Sequence, residues 1–400
     1  MMDEFHIYVQ EETKAALMSG SPLIPKDGLM PGQTLPDEGT VVHVRSADDE
    51  LIGTGYIGEQ TKGVGWLVSR RADTVMDASF FAEKIQQAWH HRRSLHQSQE
   101  TTAYRIFNGE GDGVGGLAID YYHGYALIHW YSAGIFAFQT EVLQALAALP
   151  GVQGVYEKKR FETGAIVEEE EDFVQGERAP EPLIVHENGI NYAVDLDDGP
   201  MTGIFLDQRH VRRKIRDEYA RGRTVLNTFS YTGAFSVSAA LGGAVHTTSV
   251  DLANRSYAKT VEQFSINGLD YEAHDIVVQD VFQYFKRAKK QDKAFDLVVV
   301  DPPSFARSKK KTFSVKKDYQ ALLEEVIAVT ANDGIVVAST NANVVAMKKF
   351  RSFVDRACQS MKLDYQILET HRLPEDFPTV KTKAYDSDYL KVIIFKVSRK

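Results

Sequence analysis

The chain has 400 residues, of which 43% are hydrophobic and 25% are charged; this composition excludes an intrinsically disordered protein and predicts two or three domains with full cores. Its single cysteine, Cys358, excludes an intrachain disulfide. The first residues lack a basic and apolar signal, and no apolar run reaches ~18 residues, so we expect a soluble cytoplasmic protein without a membrane segment. The net charge of −9, taken as one number, disfavours a protein that binds only polyanions.

Short alternating strands, separated by Gly, Asp and Pro turns, dominate residues 1–75. The clearest strands lie at 40–45, 51–57 and 65–68. Several short strands with turn residues between them are typical of a small β-barrel. We therefore expect three domains, at 1–75, 76–190 and 191–400.

The middle segment predicts an α+β domain, with an amphipathic helix at 80–95. The glycine-rich residues 109–116 look like a phosphate loop, but no Lys-Ser/Thr closes them and no helix follows. They predict instead a turn into a hairpin of strands 117–122 and 125–130. His90 and His91, at the end of the helix, have no Cys or acid at ligand spacing, so we expect no metal site.

A strand, a turn and a helix are predicted at 223–240. The turn is Asn227-Thr228-Phe229-Ser230-Tyr231-Thr232-Gly233, and the helix continues through 236–240. The next strand, 245–250, ends at Asp251. This acid follows the turn at close to the ~20 residues that separate a nucleotide-binding turn from the acid that holds the ribose hydroxyls.

Two further strands also end beside acids. Residues 276–278 lead to Asp280, and the apolar run 295–300 leads to Asp301-Pro302-Pro303. Strands that alternate with helices predict a doubly wound parallel sheet, and ligands bind at the carboxyl edge of such sheets. The alternative is a plain doubly wound sheet with surface acids at its strand ends.

The turn at 227–233 favours a cofactor without phosphates. It carries one glycine, Gly233, whereas the close approach of a pyrophosphate requires three spaced glycines. S-adenosylmethionine fits this pattern better. We expect its adenine near Asp280, its ribose hydroxyls at Asp251 and its methionine part over the turn.

Three motifs together resemble a known family. They are Gly203-Ile204-Phe205-Leu206-Asp207-Gln208-Arg209, the turn at 227–233 and Asp301-Pro302-Pro303-Ser304-Phe305. They look like the class I S-adenosylmethionine-dependent methyltransferases of bacterial large-subunit ribosomal RNA, strongly over 190–400 and more loosely before it. The resemblance implies a Rossmann-like α/β methyltransferase domain that follows a PUA-like RNA-binding β-barrel and an α+β linker domain.

The resemblance also implies site residues. In such relatives the Phe-Leu-Asp-Gln-Arg segment lies beside the cofactor; a helix start capped by Asp207 is an alternative that can hold at the same time. With the turn and the strand-end acids, the expected cofactor-binding residues are Phe205, Gln208, Arg209, Asn227, Phe229, Ser230, Tyr231, Thr232, Gly233, Asp251, Asp280 and Asp301. The expected catalytic residues are Asp301, Pro302, Pro303 and Phe305.

Basic residues cluster in the C-terminal half, near the predicted site. A flexible basic loop directly after the Asp-Pro-Pro strand is well placed to hold RNA phosphates, whereas the basic run 286–293 is better explained as a solvated face. The expected RNA-binding residues are Arg212, Arg213, Arg307, Lys309, Lys310, Lys311 and Asn341. We expect large-subunit ribosomal RNA or its precursor as the partner, and the sequence leaves a homodimer open.

The lack of a suitable thiol limits which atom of the base can be methylated. Methylation of carbon 5 of a pyrimidine needs a thiolate that adds at carbon 6. Cys358 falls on one helical stripe with Phe350 and Phe353, which predicts core packing. Where 5-methylcytosine relatives place their nucleophile, this chain has Thr340 and Asn341. Guanine N7 already has a free lone pair and needs only alignment with the sulfonium methyl.

Guanine N7 methylation is therefore the predicted reaction. Asp301 is expected to orient the base through its N–H groups, Phe305 to stack on a flipped base, and Asn341 or Asn343 to bond to the base edge. A core Phe305 and capping asparagines are the alternatives. The Asp-Pro-Pro-Ser-Phe and Ser-Thr-Asn motifs resemble the 7-methylguanosine-forming ribosomal RNA enzymes. A 5-methylcytosine enzyme and a non-catalytic ribosome-assembly RNA-binding protein remain the other options.

Overall fold

The computed structural model describes residues 5–61, 63–161, 172–197, 199, 201–307 and 312–399. The chain divides into two compact units. The first comprises Met1–Val185, Asp195–Thr202 and Glu375–Ser387, and the second comprises His186–Val194, Gly203–Pro374 and Asp388–Lys400. The expected three-domain division at 1–75, 76–190 and 191–400 stays a prediction.

The first unit begins with a curled five-stranded sheet, a half-barrel. Its elements are β1 (Phe5–Val9), α1 (Glu11–Met18), β2 (Leu23–Pro25), β3 (Val41–Ser46), β4 (Leu51–Ile57) and β5 (Gly63–Ser69). The order β1-β3-β4-β5-β2 buries alternate side chains such as Ile7, Val42 and Val44 in one core. Alternation in the sequence predicts β3, β4 and β5 and misses the two edge strands.

A second sheet with packed helices completes the first unit. Its elements are α2 (Ala78–His91), α3 (Arg93–His96), β6 (Ala103–Asn108), β7 (Leu117–Tyr122), β8 (Tyr125–Trp130), α4 (Ala133–Phe136), α5 (Gln139–Ala147), β9 (Gly154–Lys159) and β10 (Phe173–Gly176), in the sheet order β10-β9-β8-β7-β6. Because β7 and β8 pair antiparallel, the predicted hairpin is confirmed. The predicted helix at 80–95 is interrupted at Arg92, which leaves the helical conformation and donates to Asp112.

The second unit is built on a seven-stranded sheet. A two-stranded sheet, β11 (Leu183–Glu187) with β12 (Ile190–Val194), precedes it along the chain. The further elements are α6 (Arg209–Lys214), β13 (Thr224–Thr228), α7 (Ala234–Leu241), β14 (His246–Asp251), α8 (Arg255–Ser265), β15 (Asp275–Val278), α9 (Val281–Lys290), β16 (Phe295–Val300), β17 (Phe305–Arg307), β18 (Thr312–Ser314), α10 (Val315–Ala328), β19 (Thr330–Thr340), α11 (Met347–Ser360), β20 (Asp364–His371) and β21 (Lys391–Ser398).

The order of the large sheet is β15-β14-β13-β16-β19-β21-β20, and its first five strands are parallel. The direction in which the chain adds strands reverses between β13 and β16. In open α/β sheets, such a reversal opens a crevice at the carboxyl ends of the two strands. The turn after β13 and Asp301 after β16 therefore lie side by side.

The sequence of β16 explains why this strand is central. Val298 and Val300 pack into one hydrophobic core, and Leu297 and Val299 pack into the core on the opposite face of the sheet. A strand buried on both faces requires a continuous apolar run, and β-branched residues suit its extended backbone. The predicted strand 295–300 is confirmed residue by residue.

Cys358 lies on α11, where it is fully buried in the same core as Phe350, Phe353 and Val354. The prediction that it packs in the core is confirmed. None of the helices in the described part of the chain combines the length and the apolar composition needed to cross a bilayer.

Candidate active site

The turn after β13 has an unusual backbone. Phe229 and Tyr231 adopt φ angles of 55° and 53°, in the left-handed region that costs a side-chain-bearing residue about 1–3 kcal/mol. The Ser230 amide donates to the Val250 carbonyl, and the Tyr231 amide donates to Asp251 Oδ2 at 2.9 Å. Neighbouring strand β14 therefore holds the turn in a conformation that local preference disfavours.

Gly233 ends this turn and precedes α7. Its φ is 79°, and a Cβ atom there would lie 2.6 Å from Thr260 Cγ2. Both the backbone conformation and the packing of α8 therefore require glycine at this position. The single glycine seen in the sequence is explained by this close approach.

Asp251, the last residue of β14, is partly buried and bonds on both sides. Its Oδ2 accepts from the Tyr231 amide and its Oδ1 accepts from the Ala253 amide, each at 2.9 Å. Each carboxylate oxygen keeps a further lone pair. Asp251 can thus fix the turn and still accept a hydroxyl hydrogen from a ligand.

Asp280 follows β15 and caps α9, with its Oδ1 accepting from the Gln283 amide at 3.0 Å. The expected order of acids is confirmed in the fold: Asp251 ends β14, Asp280 follows β15 and Asp301 follows β16. All three lie at the carboxyl ends of parallel strands in one sheet.

A cavity opens at the carboxyl ends of β13 and β16. Its lining comes from three separate segments of the second unit, namely Gly203, Ile204, Phe205, Gln208, Arg212, Phe229, Ser230, Tyr231, Thr232, Ala234, Phe235 and Asp301. The structure therefore brings together seven of the predicted cofactor residues. The cavity volume is about 50 Å³. One water needs roughly 10–15 Å³ of such volume, so the cavity has room for a small group of atoms.

The segment before α6 forms one wall of the cavity. The ring of Phe205 lies 5.5 Å from that of Tyr231, centroid to centroid. Thr232 Oγ1 donates to the Gly203 carbonyl at 2.7 Å, which ties this wall to the turn. Asp207 accepts from the Tyr389 hydroxyl at 3.0 Å and lies in a 3₁₀ turn, with α6 beginning at Arg209. The proposed capping role of Asp207 is therefore not what the structure shows.

Asp301 forms the floor of the cavity between neutral partners. Gln208 Nε2 donates to its Oδ2 at 3.1 Å. Burial raises the pKa of Asp301 to about 6, and the charge of Asp207 acts in the same direction, whereas hydrogen bonds from Ser339 and Gln208 and the charge of Arg212 oppose the rise. A carboxylate with a raised pKa in a ligand cavity is typical of a functional site.

Gln208 has an acceptor available for a ligand. Its Nε2 donates to Asp301 Oδ2 and, at 2.7 Å, to Ser339 Oγ. Because an ionised carboxylate only accepts, this bond identifies the nitrogen and leaves Oε1 as the other amide atom. Oε1 is buried and has no hydrogen-bond partner among the described residues. An orphaned acceptor in the wall of a cavity suits a ligand that carries a donor.

Arg212 departs from its prediction as an RNA-binding residue. Its side chain is 2% exposed and forms a bidentate ion pair with Glu187, which is 1% exposed. A guanidinium held inside the unit does not face the backbone of an RNA, so this prediction is wrong. The neighbouring Arg213 is exposed, and its RNA-binding role stays a prediction.

Five of the twelve predicted cofactor residues do not line the cavity, namely Arg209, Asn227, Gly233, Asp251 and Asp280. Asn227 is 1% exposed and its Nδ2 donates to Ser236 Oγ at 3.0 Å, beneath the turn. Its side chain supports the turn rather than contacting a ligand, because it is directed into the interior. Arg209 is likewise buried and is not part of the lining described above. A direct cofactor contact of Arg209 stays a prediction.

The expected substrate side carries an exposed aromatic ring. Phe305 is 55% exposed, so the alternative of a core phenylalanine is wrong. Asn341 is also exposed, and its Oδ1 accepts from Ser304 Oγ at 2.7 Å. Pro302 is buried and Pro303 is exposed. These placements leave the catalytic and RNA-binding assignments as predictions.

The predicted basic loop lies largely outside the described residues. Arg307 belongs to β17, which pairs antiparallel with β18. Lys309, Lys310 and Lys311 fall within the stretch that the structure does not describe.

Sequence reasoning misses Ser339 and Phe235. Ser339 bonds to Gln208, and its signal was present in the same Ser-Thr-Asn segment: it follows Val337 by two residues on β19, so both face one side of the sheet. Phe235 lines the cavity from α7, and no pattern distinguishes it from a core residue. Among the described residues, no group of three His, Cys, Asp or Glu side chains could hold a metal ion.

Comparison with known proteins assigns this fold and cavity to a family. The model of the S-adenosylmethionine-dependent methyltransferase family matches residues 143–396, and the model of the PUA-like domain matches residues 7–70. The fold and cavity are those of a Rossmann-like methyltransferase, and the chain belongs to the S-adenosylmethionine-dependent methyltransferase family. The half-barrel at its N-terminal end is a PUA-like domain.

Individual relatives extend over nearly the whole chain. A Bacillus subtilis (strain 168) protein with the provisional name ribosomal RNA large subunit methyltransferase YwbD is 54% identical over 384 residues, which cover 96% of this chain and 97% of the relative. Ribosomal RNA large subunit methyltransferase I of Aeromonas salmonicida (strain A449) is 29% identical over 397 residues and 98% of both chains. The crystal structure of SMU.776, provisionally described as a methyltransferase and complexed with SAH, has a TM-score of 0.91 at 39% identity, covering 98% of this chain and 100% of that one.

The cavity fits the cofactor of this family. The orphaned Oε1 of Gln208 can accept from a donor, Asp251 can accept from ribose hydroxyls, and the rings of Phe205 and Tyr231 provide an apolar wall. The small cavity at the turn suits the methionine end. The expected adenine and ribose positions, at Asp280 and Asp251, lie outside its lining.

Proposed function

We propose that this chain methylates N7 of a guanine in large-subunit ribosomal RNA or its precursor, by direct attack and without a covalent intermediate. Support for the RNA class comes from the Bacillus subtilis relative, whose name refers to the large ribosomal subunit and which is 54% identical over nearly the full chain. The PUA-like domain at residues 7–70 agrees with an RNA substrate. A cytoplasmic location follows from that substrate and is part of the proposal.

The position of the only cysteine is the observation that favours a nitrogen atom as the methylated target. Cys358 is the single thiol in 400 residues, and it is 0% exposed in a hydrophobic core. Burial raises the pKa of its thiol to about 11, and the charge of Asp355 adds to this rise. A nucleophilic thiol must be ionised and must reach the base. Methylation of a pyrimidine carbon therefore lacks its nucleophile, whereas guanine N7 needs none.

The residues of the cavity then have defined tasks. When bound, S-adenosylmethionine supplies an electrophilic methyl group. As N7 takes up the methyl, positive charge moves onto the guanine ring and its N–H groups become stronger donors. Asp301 accepts from these N–H groups and stabilises the developing charge. With a pKa of about 6, its carboxylate is ionised at neutral pH but incompletely satisfied by its protein partners.

The residues beyond Asp301 suit a flipped base. Pro302 and Pro303 give a rigid exit from β16, so that Phe305 follows at a short, fixed distance along the chain. The exposed ring of Phe305 offers a stacking surface. Exposed Asn341, directly after the next parallel strand β19, offers a hydrogen-bonding group. Arg213, Arg307 and Lys309 to Lys311 are proposed to hold phosphates.

Nucleoside mass spectrometry tests the proposal. Large-subunit ribosomal RNA is incubated with the full chain and S-adenosylmethionine carrying an isotopically labelled methyl group, and then digested to nucleosides. We expect the label in 7-methylguanosine. Asp301→Asn serves as the matched inactive control, since it keeps the shape of the side chain.

Three outcomes contradict the proposal. Label in 5-methylcytidine would replace it by the pyrimidine reaction. Label in a different nucleoside would remove N7 as the target. Binding of S-adenosylmethionine and of ribosomal RNA without any transfer, to either free RNA or an assembly intermediate, would favour a non-catalytic assembly role.

A further inference from the structure

Arg212 is held on one side by two bonded partners. Its Nε donates to Glu187 Oε1 at 2.7 Å, and its Nη2 donates to Glu187 Oε2 at 2.6 Å and to the Phe205 carbonyl at 2.7 Å. The guanidinium carbon also lies 5.6 Å from the ring centroid of Phe235. These contacts fix the orientation of the guanidinium plane, because the side chain cannot rotate without breaking them.

The other side of the guanidinium faces no bonded partner. None of the hydrogen bonds that Arg212 makes within the described residues involves Nη1. The residue lines the cavity and is only 2% exposed, so its remaining donors can be satisfied only from inside the cavity. A buried guanidinium with two unused donors is expensive unless an acceptor meets them.

We propose that Arg212 binds the carboxylate of the methionine part of S-adenosylmethionine through Nη1. The carboxylate is the anionic group of this cofactor, and the two N–H groups of Nη1 can donate charge-assisted hydrogen bonds to it. The cavity lies against the turn at Phe229 to Thr232, where the methionine part is expected, and its small volume admits such a group. An RNA phosphate does not fit this interior position.

Glu187 is then a positioning residue that does not touch the cofactor. It orients Arg212 and pairs with its charge. Burial by itself would lower the pKa of Arg212, but the charge and hydrogen bonds of Glu187 raise it. The link from Arg212 to the Phe205 carbonyl joins the carboxylate subsite to the aromatic wall of the cavity.

Calorimetric titration with two cofactors tests this role without RNA, so its result is independent of the proposed target base. S-adenosylmethionine and decarboxylated S-adenosylmethionine differ only in the carboxylate. We expect the unmodified chain to bind the former about tenfold to a hundredfold more tightly, as for loss of a hydrogen bond between charged groups. Equal affinities would overturn the assignment, and this comparison requires no variant that could fail to fold.

Variants test whether the preference for the carboxylate depends on Arg212. In the double variant Arg212→Met with Glu187→Gln, which leaves no unpaired buried charge, we expect the two affinities to agree within about threefold, with binding of the decarboxylated cofactor unchanged. The single variant Glu187→Gln keeps the cation and should keep a preference above about tenfold. A preference retained in the double variant, or equal weakening of both cofactors, would show that Arg212 has only a structural role.

Discussion

Two aspartates, Asp120 in the first unit and Asp301 in the second, show how the same side chain serves different purposes. Asp120 on β7 accepts from Arg105 Nε at 2.6 Å and from His129 Nε2 at 3.1 Å. Arg160 lies 3.3 Å from His129 Nδ1, and since arginine only donates, His129 carries its proton on Nε2 and donates to Asp120. Burial opposes ionisation of Asp120, but the charge of Arg105 and the bond from His129 lower its pKa to about 2.

Asp301 on the other hand has a neutral amide and a hydroxyl as its nearest partners, and burial raises its pKa to about 6. The hydrogen bonds of the fold use both oxygens of the Asp120 carboxylate, whereas the Asp301 carboxylate is left partly unsatisfied in the floor of a cavity. Carboxylates that hold a structure together are paired with charge, and those available to a ligand are not. Asp120 therefore serves the stability of the fold, whereas Asp301 is available for function.

Substitution of Asp301 should give the largest effect on activity. We expect Asp301→Asn to reduce methyl transfer below detection, because the amide cannot supply the negative charge that stabilises the reacting base. The fold should become more stable by about 1–2 kcal/mol at neutral pH, since a poorly solvated charge is removed. Methyl transfer assays and thermal unfolding measure both. A folded variant with normal turnover would refute the role of Asp301.

The matched substitution in the first unit should act in the opposite way. Asp120→Asn removes a buried negative charge that pairs with the partly buried Arg105, so the free energy of unfolding should fall by about 3 kcal/mol. Cofactor affinity should not change, because Asp120 takes no part in the cavity. Denaturant unfolding together with calorimetry checks the pair of results. Lost cofactor binding in a folded Asp120→Asn protein would contradict this separation.

Asp251 both supports the turn and is available to a ligand, so the effect of its substitution should be intermediate between those at Asp301 and Asp120. In Asp251→Ala, cofactor binding should weaken by about 1–3 kcal/mol through loss of charge-assisted hydrogen bonds. Part of this loss comes from the turn, because the Tyr231 amide loses its acceptor. Calorimetric titration with S-adenosylmethionine measures it, and unchanged affinity would refute the ribose role.

The pH dependence should differ in sign between the two aspartates. Asp301 must be ionised to act, so turnover should fall about tenfold per pH unit below pH 6, as its raised pKa requires. The stability that protonated Asp301 contributes is full below its ordinary pKa of 3.8 and is lost as the pH rises through about 6. Asp120 contributes stability above 3.8 that is lost as the pH falls towards about 2. A pH–rate profile of kcat, flat from pH 5 to 7, would contradict the assignment.

The smallest effect is expected at the buried thiol. Cys358→Ala trims a small side chain from the core and should cost about 1 kcal/mol of stability, with turnover close to normal. Ser360, the last residue of the same helix, is exposed and not in the core, and Ser360→Ala provides a control for the helix. A folded Cys358→Ala protein without activity, or a thiol adduct with 5-fluoropyrimidine RNA, would restore the pyrimidine reaction.

Much of the fold is readable from the sequence because burial leaves periodic marks. The apolar run of β16 predicts a strand buried on both faces, and the stripe of Cys358, Phe350 and Phe353 predicts a packed helix. The order of Asp251, Asp280 and Asp301 follows from the alternation of strands and helices. The edge strands β1 and β2 escape, because β2 has three residues and β1 pairs on only one side.

The sequence by itself determined which residues meet at the strand ends, since parallel strands bring their carboxyl termini to one edge whatever the packing details. Only the tertiary structure decided what those residues experience. Arg212 belongs to a basic run, yet Glu187, 25 residues away, holds it in the interior and turns it towards the cavity. The pKa of Asp301 likewise depends on burial and on Gln208, 93 residues away. Charge pairing and desolvation arise between distant segments, so local patterns do not encode them.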